Sequence, residues 1–252
     1  MSRSQPGHGI SMKQRHLLFS LCLLGLLQLV SGAVPWGAHA FAVAEQGLVG
    51  PGSEWVYKSN LGTARSSILS QRVQDSGEEL YRWRLSVAGL TYEEDLLLTS
   101  STLSVTSRFF NAFRIYSDAY DYPLGELTFR LPLTVGSKWE WDGPVLHGSK
   151  EGVTRITGQV VGLVPVTVPA ATFLAYEIHL QRNDDFGATQ DIKLWFHPEV
   201  GVVRATGTLH WRGLVGKVQR LIGFDLFEVE LETYSIVRPS LATRDEPAPP
   251  DA

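Results

Sequence analysis

The stretch FEVELE, Phe227 to Glu232, alternates strictly: Phe227, Val229 and Leu231 are apolar, and Glu228, Glu230 and Glu232 are charged. Successive side chains of an extended strand point to opposite faces, so this spacing predicts a strand with one buried and one wet face. The same period returns along the chain. Tyr81, Trp83, Leu85 and Val87 alternate with Arg82, Arg84 and Ser86; Tyr176, Ile178 and Leu180 alternate with Glu177, His179 and Gln181. One-sided burial of this kind marks antiparallel sheets. Punctuation is frequent, at Asp75-Ser76-Gly77, Trp141-Asp142-Gly143-Pro144, Asn183-Asp184-Asp185 and Pro198-Glu199. No segment carries a long apolar stripe at helical spacing. The expectation is an all-β protein of about a dozen strands, an antiparallel curved sheet or partial barrel built from two related meanders.

The two meanders are suggested by a weak repeat. Gly52-Ser53-Glu54-Trp55-Val56-Tyr57 is similar to Gly136-Ser137-Lys138-Trp139-Glu140-Trp141. Ile68 and Gln71 then match Ile156 and Gln159, Tyr81 matches Tyr176, and Asp95-Leu96 matches Asp191-Ile192. The order is kept while the offset grows, as loop insertions in the second half would produce. The half-repeats span about residues 50–120 and 134–236 of one β domain, 45–237, sharing one core.

The N-terminal 44 residues read as a secretory signal peptide. Lys13, Arg15 and His16 precede an apolar run from Leu17 to Val30, and small residues follow at Ala38-His39-Ala40 and Ala42-Val43-Ala44. Cleavage is expected after Ala40 or Ala44, and Met12 offers an alternative start. The run is short for a bilayer span, so a retained anchor is the lesser alternative and no integral span is expected after cleavage. Cys22 follows Leu21, where a lipoprotein signal wants a small residue, so lipidation is not expected. The location implied is periplasmic or secreted. Residues 238–252 are rich in proline and charge, and are expected to be disordered.

Composition excludes several functions. Cys22 is the one cysteine, so the exported chain has no disulfide, thiol nucleophile or cysteine–zinc site. Arg3, Lys13 and Arg15 leave with the leader; 19 basic residues then face 26 acidic ones, a net charge of −7. Such a chain has no general attraction to nucleic acid or to anionic lipid. Six tryptophans remain after Trp36 is lost, ample for a core.

Candidate chemistry is sparse. In WFHPEVGVVR, Trp195 to Arg204, His197 and Glu199 set an imidazole beside a carboxylate. Pro198 at the second position of a turn and Gly201 at a left-handed position explain the stretch as a hairpin corner, with His197 and Glu199 facing solvent at its tip. Glu177 and His179 share a strand face and could reach one metal ion if a third ligand, such as His210, lay on a neighbouring strand. His147 stands apart. Asn183-Asp184-Asp185-Phe186-Gly187 suggests a calcium loop, but its spacing fails the helical template and a hairpin turn accounts for it. There is no nucleophile elbow and no phosphate loop. The Glu228-Glu230-Glu232 row and the Arg82-Arg84 row are expected on wet surfaces, paired if adjacent. No residue is assigned a catalytic, metal-binding or cofactor-binding role, and no cofactor is implied.

Three segments of the second half carry a family resemblance: Leu131-Pro132-Leu133-Thr134-Val135-Gly136-Ser137-Lys138-Trp139-Glu140-Trp141, Val166-Thr167-Val168-Pro169-Ala170-Ala171-Thr172-Phe173, and Trp195 to Arg204. Together they resemble the PLxVGxxWxW, VPAGTF and WYAPGVGxVK pattern of DUF3108-like exported bacterial β-proteins. The resemblance covers about residues 120–236. It implies a strongly curved antiparallel sheet or partial barrel in the periplasm, and no activity. Ala171 stands where the pattern has glycine; a positive φ there would cost on the order of 1 kcal/mol. His197 replaces a small residue.

The function expected is that of a non-enzymatic periplasmic or secreted β-protein that binds a cell-envelope component. The alternatives are a carrier of a hydrophobic ligand or lipoprotein, and a hydrolase. The partner is an unidentified envelope protein or hydrophobic ligand. A carrier needs a continuous apolar cavity; a binding module needs exposed apolar patches on a solid core.

Overall fold

The computed structural model describes residues 49–112, 114, 116–211 and 226–238. The leader, with Met12, Cys22 and the expected cleavage sites, and the tail from residue 239 lie outside the described residues.

Twelve strands follow one another: β1 (Glu54–Ser59), β2 (Gly62–Val73), β3 (Glu79–Val87), β4 (Leu90–Leu98), β5 (Thr102–Ala112), β6 (Tyr116–Arg130), β7 (Lys138–His147), β8 (Lys150–Val168), β9 (Ala171–Asp184), β10 (Ala188–His197), β11 (Gly201–Trp211) and β12 (Leu226–Ser235). Each pairs antiparallel with the next, and β12 returns to β1, so the sheet closes into a barrel. Closure removes the free edges that an open sheet would expose. This is finer than the curved sheet or partial barrel read from the sequence, and compatible with it.

The alternation works as expected. Tyr81, Trp83, Leu85 and Val87 point inward, as do Ile192, Leu194 and Phe196. Trp55, Trp83, Tyr81, Tyr122, Phe129 and Phe196 are among the largest side chains sealed in the interior. Where two large rings would collide, glycine gives way: a Cβ on Gly158 would run into the indole of its cross-strand partner Trp139, and one on Gly207 into Phe227.

The turn chemistry of WFHPEVGVVR is also as expected. The Val200 N–H donates to the His197 carbonyl at 3.2 Å, with Pro198 and Glu199 at the corner, and Gly201 takes φ +95° to rejoin the strand. Ala171 is not among the residues with positive φ, so the strain considered there does not arise.

One punctuation reading is corrected. Trp141-Asp142-Gly143-Pro144 lies inside β7, not at a turn. Its proline acts on the sheet instead. β6 and β7 share a single ladder pair, Asp121 with Leu146. Two residues further in that register Pro123 would face Pro144, and neither has an N–H to give. On its other side β6 slips against β5 between Asp121 and Glu126, where Gly125 adopts φ +69°. The ladder between β6 and β7 is therefore reduced to one pair, although the two strands run side by side in the closed barrel.

Candidate functional site: a buried ion network and a folded-over arm

Two features depart from an ordinary filled barrel. The first lies inside, toward the end that carries the β5–β6, β7–β8 and β9–β10 turns. Glu94 on β4 sits directly opposite Arg108 on β5 in the ladder, both facing inward. Arg108 Nε donates to Glu94 Oε1 at 2.8 Å, its Nη2 to Glu126 Oε1 at 2.8 Å and its Nη1 to the Tyr122 hydroxyl at 2.6 Å. Arg182, reaching in from β9, donates through Nε to the other oxygen of Glu126 at 2.9 Å, and through Nη1 to Asp184 at 3.0 Å. Its Nη2 reaches the Tyr122 hydroxyl at 3.2 Å and Thr154 at 3.4 Å. The Tyr92 hydroxyl donates to Glu94 Oε1 at 2.7 Å, and the Arg108 guanidinium lies 5.1 Å from the Tyr122 ring centre.

Local structure explains how the charges come to be inside. Glu94 and Arg182 fall on the apolar phase of their strands, in step with Leu96 and with Ile178 and Leu180. Glu126 keeps the inward phase of Tyr120 and Tyr122, while Leu127 and Phe129, beyond the register shift, turn inward on the other phase. All five charged side chains are at most 4% exposed, so each must be paired to be tolerated.

The electrostatics divide the carboxylates. Burial alone would raise the Glu126 carboxyl, but Arg108 and Arg182 on either side hold it below the ordinary range. Burial raises Glu94, and Arg108 only partly offsets it. Glu94 Oε2 meets no partner among the described residues. With Glu94 protonated, Arg108 and Arg182 balance Glu126 and Asp184. Burial makes the Tyr92 and Tyr122 hydroxyls less acidic than usual, so both stay neutral donors or acceptors.

The network stands beside this thinned ladder and bridges it. Tyr122 and Glu126 belong to β6; Arg182 and Thr154 belong to strands beyond β7. Nearer the barrel end, His147 Nε2 lies 2.6 Å from Asp118 Oδ1 and the imidazole stacks on Tyr120 at 4.5 Å, again joining β7 to β6. At the other end Phe129 meets Trp139 edge to face at 6.4 Å. Side chains tie the two strands together where the backbone ladder is thin.

The second feature is an arm. β7 pairs with β8 only as far as Gln159, and β10 pairs with β9 only as far as Tyr176. The hairpin from Val161 to Ala175 therefore continues alone beyond both neighbours, bent at the bulge between Val160 and Gly162. Its tip folds over the barrel end: the Ala170 N–H donates to the Leu231 carbonyl on β12 at 3.0 Å, four strands round the barrel from β8. The inner face of the arm buries Val166, Val168, Phe173 and Ala175. Phe173 meets His197 at 5.5 Å and Tyr234 at 6.2 Å. The outer face leaves Val161, Leu163 and Leu174 exposed at 41, 43 and 56%.

Several sequence candidates are placed by these contacts. His197 is half-buried beneath Phe173 rather than free in solvent, and burial lowers its basicity, with Glu199 opposing. Its Nδ1 accepts the Glu199 N–H at 3.3 Å, while the Glu199 side chain stays exposed. Glu177 and His179 do meet, Oε1 to Nε2 at 2.9 Å. His210 is opposite Thr189, which is opposite Asn183, so it is not beside them. Among the described residues no group of three or more His, Cys, Asp or Glu is placed to hold a metal ion.

In the Asn183–Gly187 turn the carboxylates bind protein groups. Asp184 pairs with Arg182 and accepts the Ala188 N–H, and Asp185 takes Arg155 and the Val153 N–H. The Arg82-Arg84 and Glu228-Glu230-Glu232 rows face outward, but not each other. Arg82 pairs with Asp95, Arg84 with Glu93, and Arg204 with Glu228. Glu94, Arg108, Glu126 and Arg182 were not singled out from the sequence; the signal was a charge on the apolar phase of a strand.

No protein-family model and no curated protein matches the chain. The resemblance to DUF3108-like proteins thus rests on the quoted segments. Among solved structures, the chain is similar to a presumed exported protein with a YmcC-like fold from Bacteroides fragilis, at 13% identity and a TM-score of 0.43, over 78% of this chain and 99% of that one. It is similar to a presumed lipoprotein from Parabacteroides distasonis, at 13% identity and a TM-score of 0.40, over 78% and 99%. The hypothetical lipoprotein YmcC of Escherichia coli gives 12% identity and a TM-score of 0.31, over 92% and 100%. These likenesses are weak and concern fold alone.

Proposed function

We propose that the chain is a non-enzymatic, exported β-barrel that binds a component of the cell envelope through its outer surface. The observation that carries this reading is the arm, which turns apolar side chains outward from a solid barrel. The sealed aromatic side chains weigh against a carrier, whose ligand needs the space they fill. The groups with displaced acidity weigh against an enzyme: Glu94, Glu126, Arg108 and Arg182 bind one another and are closed to substrate. Export is supported by the basic, apolar and small-residue succession before residue 45. The outward rows of β3 and β4 carry the ion pairs Arg82–Asp95 and Arg84–Glu93 where a bilayer-spanning strand would be apolar.

The test is to recover the native protein from cell fractions, sequence its N-terminus, and identify by mass spectrometry what cross-links to it. The expected outcome is an exported chain beginning near residue 41 or 45, with an envelope component attached. Recovery from the cytoplasm with the leader intact, or turnover of an envelope substrate abolished by a point change, would overturn the reading.

A further inference from the structure

We infer that the arm is a strap over one barrel end, held in its seat by the neutral imidazole of His197 and released when that ring takes up a second proton. This goes beyond the outer-surface reading and does not depend on which envelope component is bound.

The hinge is built into the ladder. The β8–β9 ribbon runs on past the last pairs with β7 and β10, Lys138 with Gln159 and Phe196 with Tyr176. At that point the bulge between Val160 and Gly162 bends it across the barrel end. The ribbon carries its own ladder, from Gly162 with Glu177 to Val168 with Ala171, so it can pivot there as one piece.

The seat is small. The Ala170 N–H ties the tip to the far wall through the Leu231 carbonyl, at 3.0 Å. Val166, Val168 and Phe173 are buried beneath the arm, and Phe173 meets His197 in a T-shaped contact at 5.5 Å. His197 is the member of this seat that can change charge in mild acid. Its Nδ1 accepts the Glu199 N–H at 3.3 Å, so the seated ring carries its proton on Nε2. A second proton must go to Nδ1, where it would point at the N–H that the nitrogen now accepts. The ring then has to turn, and Phe173 rests against it.

The surroundings give an imidazolium little help. Glu199, in the same turn, favours the charged ring, but burial opposes it more strongly and lowers its basicity. Gly201 lies opposite His197 on β11, Tyr176 opposite Phe196 on β9, and Tyr234 of β12 on Phe173. The arm from Val161 to Tyr176 has no charged residue to pair with the ring. In the released arm the imidazole meets water and regains its ordinary basicity. As pH falls the released form takes up the proton first, so acid favours release. Release uncovers the apolar inner face of the arm, Val166, Val168 and Phe173, and the end of the core beneath it.

The experiment is amide hydrogen exchange by NMR on the protein as its host processes it, with H197N measured beside the wild type at every pH. The Ala170 amide reports seating directly, because its acceptor is on β12. In H197N the side-chain oxygen can still accept the Glu199 N–H, as in an Asx-turn, but cannot gain a charge. Dividing by H197N also cancels the intrinsic pH dependence of exchange. The wild-type ratio at Ala170 is expected to rise about threefold or more between about pH 7.5 and about pH 5, while the ratio for β3 amides stays flat. E199Q removes the carboxylate that favours the charged ring, so its rise is expected at lower pH. Wild type and H197N exchanging in parallel at Ala170 would overturn the proposal. So would a rise shared by the β3 amides, which is acid unfolding of the whole barrel, or an E199Q rise that stays at the wild-type pH.

Discussion

The barrel has two junctions where its halves, β1–β6 and β7–β12, meet, and they are built differently. At β12–β1 the backbone closes the wall through six ladder pairs, from Glu54 with Ser235 to Ser59 with Val229. At β6–β7 one pair remains, and Arg182, Glu126, Tyr122, His147 and Trp139 take over. The contrast is sharp because both halves open on the same corner. Gly52 and Gly136 have φ of +88° and +87°. The Gly52 N–H donates to Ile68 and the Ile68 N–H to Ser53; the Gly136 N–H donates to Val160 and the Val160 N–H to Ser137. Val160, not Ile156, thus holds the place of Ile68. From a common corner, one junction relies on backbone bonds that tolerate many side chains, and the other on particular side chains that tolerate little change.

The largest expected effect follows from that difference. Glu126 is the shared acceptor of both buried arginines, so E126Q leaves two guanidiniums facing an amide. Removing one partner of a buried ion pair costs about 3–5 kcal/mol, read as a fall in the urea midpoint. At the zipped junction, exposed Thr233 faces Val56, and T233A is expected to stay within about 0.5 kcal/mol of wild type. Equal costs would mean that the network does not close the β6–β7 wall.

A finer comparison uses the first tryptophan of each half. Trp55 Nε1 donates to the Val200 carbonyl at 2.6 Å, whereas Trp139 Nε1, equally buried, meets no acceptor among the described residues. Both lose similar volume on change to phenylalanine. W55F also strands the Val200 carbonyl, so it is expected to cost about 1–3 kcal/mol more than W139F. Near-equal losses would show that the Trp139 indole has a partner after all, such as a buried water.

Much of the barrel could be read from the sequence because its rule is local. Period two fixed the inward face of β3, β9 and β12, and Pro198 with Gly201 fixed a corner. The rest depends on where rules break. Pro144 was read as punctuation because proline usually ends a strand; here it stays inside β7 and only withdraws a donor. Glu126 keeps the inward phase of Tyr122, but Leu127 and Phe129 are buried on the other phase beside it, so the alternation is blurred there. Arg182 was visible in principle, two residues after Leu180 on the apolar phase. What it reaches is on β6, and no local pattern carries that pairing. The arm shows the same division: its lack of charge is in the sequence, while its direction depends on where β7 and β10 stop.

The smallest expected effect concerns the sign of pH dependence within the network. Glu94 is raised and Glu126 lowered, so the two act in opposite directions. Below the unfolded carboxylate range, about pH 4.3, Glu94 is protonated in both states and has no influence. As pH rises above that value, the unfolded chain releases the proton and the native state keeps it, so stability falls until the raised native value is passed. Glu126 contributes stability above the unfolded value and loses it as pH falls through its lower native value. E94Q mimics the protonated form that balances Arg108, Arg182, Glu126 and Asp184. Its urea midpoint is therefore expected to match wild type near pH 4, to gain on it as pH rises, and to hold that gain once the raised native value is passed. E126Q should show the reverse, its deficit greatest at neutral pH and narrowing in acid. An E94Q chain less stable than wild type at every pH would mean that Glu94 is held ionised, as a working partner of Arg108. The side-chain junction would then carry a net buried negative charge, and the balance that lets it replace a backbone ladder would need another cation.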